Sequence, residues 1–379
     1  MATTQAILRG KDTTAQGELY SIFELGDKQW KITTSDAKRN ASRYVAAGDT
    51  PAVADCLREA KARFGLPDEA KVHSCYEAGR DGWWLHRWLL EQGIDNIVVD
   101  SASIEVNRRA RRAKSDRLDG DKLLAMLLRH HAGERVWSVL HEPTPADEDG
   151  RRMHRELQRL IHERVAHTNR IGSLLVLHNL RPSIVIGGRD WAAWWDGHRE
   201  QVPPLLRAEI EREAARLKLV KEQVKALEAA RGNELARGKE PLVAQLARLR
   251  AIGSKGAWIL VKEVFGWRHF ANRRELAGSL GLVPTPYCSG DSQIEQGISK
   301  AANRRVRSLL VELSRGWLRL QPTSALTQWF NRRFAGAGKR MRRIGIVALA
   351  RRLAIALWRY LQNGEIPAGA SLKPSTVRA

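Results

Sequence analysis

The segment AKSDRLDGDK, residues 113–122, carries three aspartates directly behind a strongly basic run. Asp116 and Asp119 are three residues apart, so on a helix their side chains lie about 60° apart on one face, while Asp121 points away. The leucine-rich sequence that follows continues this face toward a core, where a carboxylate needs a compensating cation. The spacing admits two interpretations: a pair of metal ligands, or an exposed helix start whose aspartates pair with arginines and favour the helix dipole.

Two glutamates lie in segments with strand character. Glu24 is part of SIFELG, and Glu77 ends SCYEAG. In a mixed α/β sheet, these two strand positions and a helix that crosses the sheet can converge on one site. Four carboxylates would repel one another there, whereas two Mg²⁺ ions roughly 4 Å apart would bind between them and a phosphate. Mg²⁺ is the cofactor that this set of ligands predicts, with Mn²⁺ as an alternative.

The elements around these residues predict an α/β domain. Two short β-rich runs around residues 26–27 indicate a hairpin, and strand patterns then alternate with helical ones as far as about His131. Such alternation is typical of a sheet with partly parallel pairing. A Pro-rich acidic segment follows, and beyond it the pattern is helical, with glycine-rich turns between the last helices.

These patterns predict the following order of domains along the chain: a mobile tail (1–18), an α/β domain (19–133), a linker and helical or coiled-coil region (134–240), a mainly helical domain (241–365) and a second mobile tail (366–379). Residues 206–227 contain a partial heptad that Glu213 interrupts. This segment is interpreted either as a helix packed within its own domain or as a coiled coil between subunits.

The composition favours a polyanionic partner. Lysine and arginine number 64 against 42 acidic residues, which gives a formal charge of +22, and nucleic acid is the first candidate. Two arginines interrupt the most apolar C-terminal stretch, so no membrane-spanning helix is expected. No secretory signal is recognised, and a cytoplasmic protein is expected. Cys56, Cys75 and Cys288 are widely spaced, which favours reduced thiols over a disulfide framework or a cysteine zinc site.

The motifs CYEAGRDGWWL and KSDRLDGDKLLAML resemble those of the DEDD transposases of bacterial insertion sequences, which are RNA-guided serine recombinases. The resemblance covers most of residues 19–362 and implies a RuvC-like, RNase H-type fold for the N-terminal domain. It also implies that Glu77, Asp116 and Asp119 are metal-binding catalytic residues, and Glu24 is favoured as the fourth. The family generally has aspartate at the first position, where this chain has Glu24, and Asp27 is the alternative.

The segment GLVPTPYCSGDSQIEQGISKAANRRVR is similar to the family's C-terminal transposase domain. Taken alone, a Ser-Gly pair is typical of a turn. The resemblance implies that Ser289 is the nucleophile that forms a covalent phosphoserine link with DNA. Cys288 is the alternative nucleophile, although the family's pattern favours its neighbour.

Several basic and glycine residues are candidates for contact with nucleic-acid phosphates. The glycines near residue 253 lie between helices, where the family usually shows I-P-G-I-G and this chain reads LRAIG; ordinary helix capping is the alternative for them. The basic residues near position 300 could equally form an exposed helix face. The candidates are Arg108, Arg109, Arg111, Arg112, Lys114, Gly253, Gly256, Lys300, Asn303, Arg304 and Arg307.

The sequence therefore predicts a transposase or recombinase that cleaves and rejoins donor and target double-stranded DNA. The resemblance adds a noncoding guide RNA, the bridge RNA, as a partner. A homodimer or tetramer is expected because the carboxylates and Ser289 lie in different domains. Two rivals remain: a junction-resolving nuclease of the RNase H class that uses activated water, and a non-catalytic nucleic-acid-binding relative.

Overall fold

The computed structural model describes residues 17–104, 116–289, 292–299 and 303–374. The side chains of residues 102, 116–119, 285–289 and 292–296 lie outside this description. The chain divides into two compact units, with the boundary between Glu142 and Pro143. The acidic candidates belong to the first unit, and Ser289 belongs to the second.

The first unit contains a five-stranded mixed sheet in the order β3-β2-β1-β4-β5. The first three strands are antiparallel neighbours, whereas β4 runs parallel to β1 and β5 runs parallel to β4. The predicted hairpin and the partly parallel pairing are both confirmed. The strands are β1 (Leu19–Leu25), β2 (Gln29–Ser35), β3 (Asn40–Ala46), β4 (Val72–Glu77) and β5 (Asp95–Val99).

Three helices cover this sheet: α1 (Thr50–Phe64), α2 (Trp84–Glu91) and α3 (Asp116–His131). The start of α1 is fixed by Asp49, whose side chain accepts a hydrogen bond from the amide of Ala52. It ends at Gly65, whose φ of 71° is favourable for glycine.

The two faces of the sheet have different helices on them. Leu19 and Phe23 of β1 share a core with α1 and α2. Tyr20 and Ile22 point to the other face and share a core with Leu123, Leu124 and Leu127 of α3. Because side chains alternate along a strand, Glu24 lies on the face that α3 covers.

The last residues of the first unit extend the sheet beyond β5. Val139 forms an isolated antiparallel bridge with Val99, and the Leu140 amide donates a hydrogen bond to the Val98 carbonyl at 2.8 Å. Part of the segment predicted as a linker is therefore held at the sheet edge.

In its described residues, the second unit is mainly helical and contains one antiparallel hairpin of strands. A π-helical turn, Val261–Phe265, directly follows α9. The elements are α4 (Pro145–Asp149), α5 (Arg152–Val176), α6 (Trp191–His198), α7 (Pro204–Ala236), α8 (Pro241–Ala247), α9 (Ser254–Leu260), α10 (Arg273–Ser279), β6 (Pro284–Ser289), β7 (Ser292–Ile298), α11 (Arg304–Leu320), α12 (Ala325–Phe334) and α13 (Lys339–Asn363).

The long helices α5 and α7 pack against each other as an antiparallel pair. Residues near the start of α5 share a core with Val220 and Val224, in the middle of α7, and residues near the end of α5 share one with Ile210 and Leu217, closer to the start of α7. Glu213, which interrupts the heptad, pairs with His167 of α5 at 2.6 Å. That hydrogen bond holds the pKa of Glu213 below its usual range. The apolar residues of the heptad thus pack against α5 of the same chain.

The C-terminal helices form the largest core, in which Trp258, Trp317 and Leu353 are buried. Residues near the end of the chain pack on it: Leu372 bridges Leu249, and Gln321 donates a hydrogen bond to the Ser371 carbonyl at 2.9 Å. Within the segment predicted as a mobile tail (366–379), the backbone groups of Ser371 and Lys373 thus have hydrogen-bond partners in the helical unit. No helix in the described ranges is long and apolar enough to cross a membrane.

Candidate active site

The carboxyl ends of β1 and β4 bring two predicted acidic residues to one end of the sheet. Phe23 pairs with Tyr76 across these parallel strands, so the residues that follow them, Glu24 and Glu77, reach the same level. Both belong to the face covered by α3, because Ile22 and Cys75, two residues earlier, pack there. The Glu24 side chain is 20% exposed, and Glu77 is exposed.

Helix α3 brings its first turn to the same place. A Cβ at Gly120 would lie 2.6 Å from Glu24 Oε1 and 3.2 Å from Lys31 Nζ, so a larger residue there would displace these side-chain ends. Asp116 begins the helix and Asp119 precedes Gly120 in the same turn. The backbone thus carries both predicted aspartates to the end of the sheet at which Glu24 and Glu77 lie.

Lys31 is a member of this cluster that the sequence did not suggest. It is the partner of Glu24 in the β1–β2 register, and its Nζ lies 2.8 Å from Glu24 Oε1. Lys31 is 8% exposed. Its ammonium group offsets part of the negative charge that the carboxylates concentrate there. The signal that could have found it is the hairpin itself, because a turn at residues 26–28 makes Glu24 and Lys31 cross-strand neighbours.

Asp27, the alternative to Glu24, lies in the β1–β2 turn. Its carboxylate forms an ion pair with Arg80 at 2.5 Å, and both side chains are more than half exposed. Glu24 therefore lies against α3, whereas Asp27 contacts the loop that follows β4.

The donor chemistry at this end of the sheet fits a hard divalent cation. Carboxylate oxygens are the ligands that Mg²⁺ prefers; Glu24 lies beside Gly120 of the helical turn that carries Asp116 and Asp119, and Glu77 follows the neighbouring strand at the same level. Gly120 leaves room beside the Glu24 carboxylate that a Cβ would fill. The residues that could hold such an ion are Glu24, Glu77, Asp116 and Asp119.

Ser289 is the last residue of β6 and pairs with Ser292, the first residue of β7. The two strands form an antiparallel hairpin that starts at Pro284 and returns at Ile298. Ser289 thus lies at the end of a strand, next to the connection between the two strands. Cys288, the alternative nucleophile, precedes it in β6.

The start of α11 presents three of the predicted phosphate ligands. Asn303 caps the helix, because its side-chain oxygen accepts hydrogen bonds from the amides of Arg305 and Val306. Arg304 is exposed and Arg307 is half-buried. Burial and the neighbouring charge of Arg304 lower the pKa of Arg307. The pair therefore concentrates positive charge at the first turn of this helix.

The two candidate glycines have different surroundings. Gly253 is exposed and directly precedes α9 in extended backbone. Gly256 is buried in the first turn of α9, where a Cβ would lie 3.5 Å from Leu313 of α11. A Cβ at Gly256 would thus make an ordinary van der Waals contact, and the packing of α9 on α11 does not require glycine there.

Glu263 is a buried acidic residue that sequence reasoning missed. It lies in the π-helical turn, with its side chain 1% exposed. Its carboxylate accepts hydrogen bonds from Arg155 at 2.8 and 2.9 Å, from Asn303 at 2.8 Å and from Arg305 at 3.4 Å, and it pairs with His154 at 2.7 Å. The network joins α5 to the start of α11.

The pKa of Glu263 reflects this network. Burial alone would raise it, but the hydrogen bonds from Arg155 and His154 and their charges outweigh burial and hold the pKa well below its usual range. The sequence signal was an acidic residue inside the apolar helical stretch AWILVKEVF.

The remaining predicted contacts lie outside the described residues. They are Arg108, Arg109, Arg111, Arg112, Lys114 and Lys300. Their assignment to nucleic acid stays a prediction.

Comparison with known proteins identifies the class. Residues 243–328, which include Ser289 and the start of α11, match the transposase IS116/IS110/IS902 family. The chain is 38% identical over 380 residues to y4rJ of Sinorhizobium fredii, a protein named as a transposase; the match covers 94% of this chain and 95% of that protein.

Two further relatives carry transposase names. The transposase for insertion sequence element IS1328 of Yersinia enterocolitica is 27% identical over 60% of this chain and 68% of its own length. The protein y4qE of Sinorhizobium fredii is 28% identical over 81% of this chain and 73% of its own length. The class is therefore that of insertion-sequence transposases, which cleave and rejoin DNA. The chain belongs to the IS116/IS110/IS902 transposase family, and the family resemblance seen in its motifs is confirmed.

Proposed function

We propose that this transposase is a Mg²⁺-dependent recombinase that cleaves and rejoins DNA strands through a covalent bond to Ser289. The observation that carries the proposal is the convergence of Glu24, Glu77 and the first turn of α3 at one end of one sheet face. The sheet order, with three antiparallel strands followed by two parallel ones, supports an RNase H-like fold for this unit. Bound Mg²⁺ would neutralise charge on the phosphate oxygens and on the departing oxygen.

The reaction at Ser289 is a phosphoryl transfer. The serine oxygen attacks a phosphodiester phosphorus, the new Oγ–P bond forms, and the bond to the leaving strand's oxygen breaks. The leaving strand takes up a proton and ends in a hydroxyl group. A hydroxyl from a second strand then attacks the phosphoserine, which rejoins DNA and restores the serine. Arg304 and Arg307 lie in the first turn of α11 and would bind the backbone of the same DNA.

Charge supports two nucleic-acid partners, DNA and the element-encoded guide RNA. The formal charge of +22 includes an exposed basic cluster around the α12–α13 turn. Such a surface binds a phosphate backbone without regard to sequence. The cluster consists of Arg332, Arg333, Lys339, Arg340, Arg342 and Arg343.

A homodimer or tetramer is also proposed. Three apolar side chains are strongly exposed near the connection between α5 and α7: Leu177 and Val185 at 74% and Leu205 at 87%. These side chains are candidates for a contact surface between copies of the chain. The mass of the full chain in solution, measured by light scattering, tests this expectation, and a monomer at working concentration would contradict it.

The test of the serine mechanism uses the full chain, the transcript that flanks its element, Mg²⁺, and end-labelled donor and target DNA. We expect a DNA adduct that survives denaturing electrophoresis and disappears in Ser289→Ala. Cys288→Ser is the matched control and should retain the adduct. Cleavage by Ser289→Ala would favour the water-using nuclease. If Asp116→Ala and Glu77→Gln rearranged DNA as the wild type does, the acidic residues would have no part in the reaction.

A further inference from the structure

The face of the sheet covered by α3 has a second polar cluster, at the end opposite to Glu24 and Glu77. His73 lies near the start of β4, and Asp95 is the first residue of β5. These strands are parallel neighbours, and His73 is paired with Asp95 across them. His131 is the last residue of α3. One ring nitrogen of each histidine and one carboxylate oxygen of Asp95 lie within 4.8 Å of one another.

The contacts of His73 resemble the surroundings of a metal-binding histidine. Its Nδ1 lies 2.9 Å from Asp95 Oδ2, and its Nε2 lies 3.4 Å from Glu18 Oε2. Tyr20 donates a hydrogen bond to that same Glu18 oxygen at 2.9 Å. A carboxylate that holds the second nitrogen of an imidazole fixes the ring and its tautomer, as is usual for histidines that bind metals.

Two buried nitrogens in this cluster lack a hydrogen-bond partner. Among the described residues, His73 Nε2 and His131 Nε2 are both shielded from solvent without a hydrogen bond. His73 is only 9% exposed, and the two imidazole rings lie 4.1 Å apart between centroids. Burying a polar atom without a partner costs free energy. An ion on His131 Nε2 would offset that cost for His131, while His73 would bind the same ion through Nδ1, on the side of Asp95, with its Nε2 facing Glu18.

We propose that His73, Asp95 and His131 bind one divalent transition-metal ion, with Zn²⁺ as the first candidate. Two imidazoles and a carboxylate are a donor set that suits zinc. Zinc–ligand distances near 2.0–2.2 Å place tetrahedral ligands about 3.4 Å apart, so His73 and Asp95 are already close enough. A rotation of His131, at the helix end, completes the set.

The ion would hold the end of α3. The apolar middle of this helix packs on the sheet, and its first turn carries Asp116 and Asp119. A bond from His131 to β4 and β5 fixes the other end, about 22 Å away by helix rise. The metal is therefore a positioning device for the helix that carries the aspartates, and its binding is independent of the reaction at Ser289.

The test measures Zn²⁺ binding to the full chain without DNA. Protein stripped with a chelator is titrated with Zn²⁺ against a chromophoric competitor in millimolar Mg²⁺, and with Co²⁺ for its visible spectrum. We expect one tightly bound Zn²⁺ per chain and the intense Co²⁺ bands of a four-coordinate site. His131→Ala should weaken Zn²⁺ binding at least tenfold, whereas the matched control His130→Ala should leave it unchanged.

A second variant guards against loss of folding. The Asp95 side chain is 60% exposed, so Asp95→Asn should fold and still lose at least tenfold in Zn²⁺ affinity. Folding of each variant is checked by circular dichroism. The proposal is overturned if the wild-type chain binds no Zn²⁺, or if His131→Ala and Asp95→Asn bind it as tightly as His130→Ala does.

Discussion

Two glutamates mark the contrast between the units of this transposase. Glu263 is sealed, with a 1% exposed side chain whose two oxygens are both hydrogen-bonded to side chains from α5 and α11. Glu24 lies at a sheet end that is open to solvent on one side, 20% exposed, against the glycine of a helical turn. A buried carboxylate with hydrogen-bond partners on both oxygens stabilises the fold. A partly exposed carboxylate beside other acidic residues can bind a cation reversibly.

The largest expected effect is at the sealed site. Glu263→Gln removes the charge that compensates Arg155 and Arg305, and loss of one member of a buried ionic network costs about 3–5 kcal/mol. Chemical denaturation should show this loss in the free energy of unfolding. Glu163→Gln is the matched control, because Glu163 forms an exposed pair with Arg159 on α5 and should change stability by less than about 0.5 kcal/mol. If both variants changed the free energy of unfolding by a similar amount, the buried Glu263 network would be no more important for stability than an exposed ion pair.

The sealed site should also govern stability in acid. The folded pKa of Glu263 is below its ordinary value of 4.5, so the unfolded chain takes up the proton first and falling pH favours unfolding. The stability contributed by Glu263 is present above about pH 4.5 and is lost progressively below it. The difference in unfolding free energy between wild type and Glu263→Gln should therefore shrink between pH 5 and pH 3. A difference that stays constant over this interval would assign the stability to packing rather than to the charge.

The sequence predicted the parts of this contrast that depend on local pattern. Alternating strands and helices gave the mixed sheet, and the D-x-x-D spacing placed Asp116 and Asp119 in one helical turn. Lys31 was missed because it joins the site only through the pairing of β1 with β2. Glu263 was missed because an apolar helix pattern does not show where its acidic residue finds partners. The heptad of α7 did not show which helix packs against it, since the same apolar residues could contact another subunit or α5. In the structure, Leu217 and Val224 pack against α5.

The open site is tested next by Gly120→Ala. A Cβ there would lie 2.6 Å from Glu24 Oε1, the end of a flexible side chain that can move away, and alanine is favoured over glycine in a helix by about 1 kcal/mol. Stability should thus change by no more than about 1 kcal/mol. Displacement of the Glu24 carboxylate should lower Mn²⁺ binding and strand cleavage about 10- to 100-fold. Electron paramagnetic resonance of Mn²⁺ reports binding without DNA.

Gly79→Ala is the control for this substitution. A Cβ at Gly79 meets only the Glu77 carbonyl oxygen, at an ordinary 3.7 Å, so Mn²⁺ binding should stay at the wild-type level. If Gly120→Ala also binds Mn²⁺ as the wild type does, the close approach of α3 to Glu24 is a packing feature without a role in cation binding.

The smallest effect is expected at Lys31. Its ammonium group lies 2.8 Å from Glu24 Oε1 and repels a divalent cation that shares this carboxylate. A unit charge about 4 Å away contributes about 1 kcal/mol at high dielectric, which is about fivefold in affinity. Lys31→Met should therefore tighten Mn²⁺ binding about fivefold in the same resonance titration, while Lys28→Met, in the exposed β1–β2 turn, should not change it. Weaker Mn²⁺ binding in Lys31→Met would mean that the lysine holds Glu24 in its metal-binding position. The Glu24 carboxylate would then depend on the Lys31 ammonium group much as Glu263 depends on Arg155.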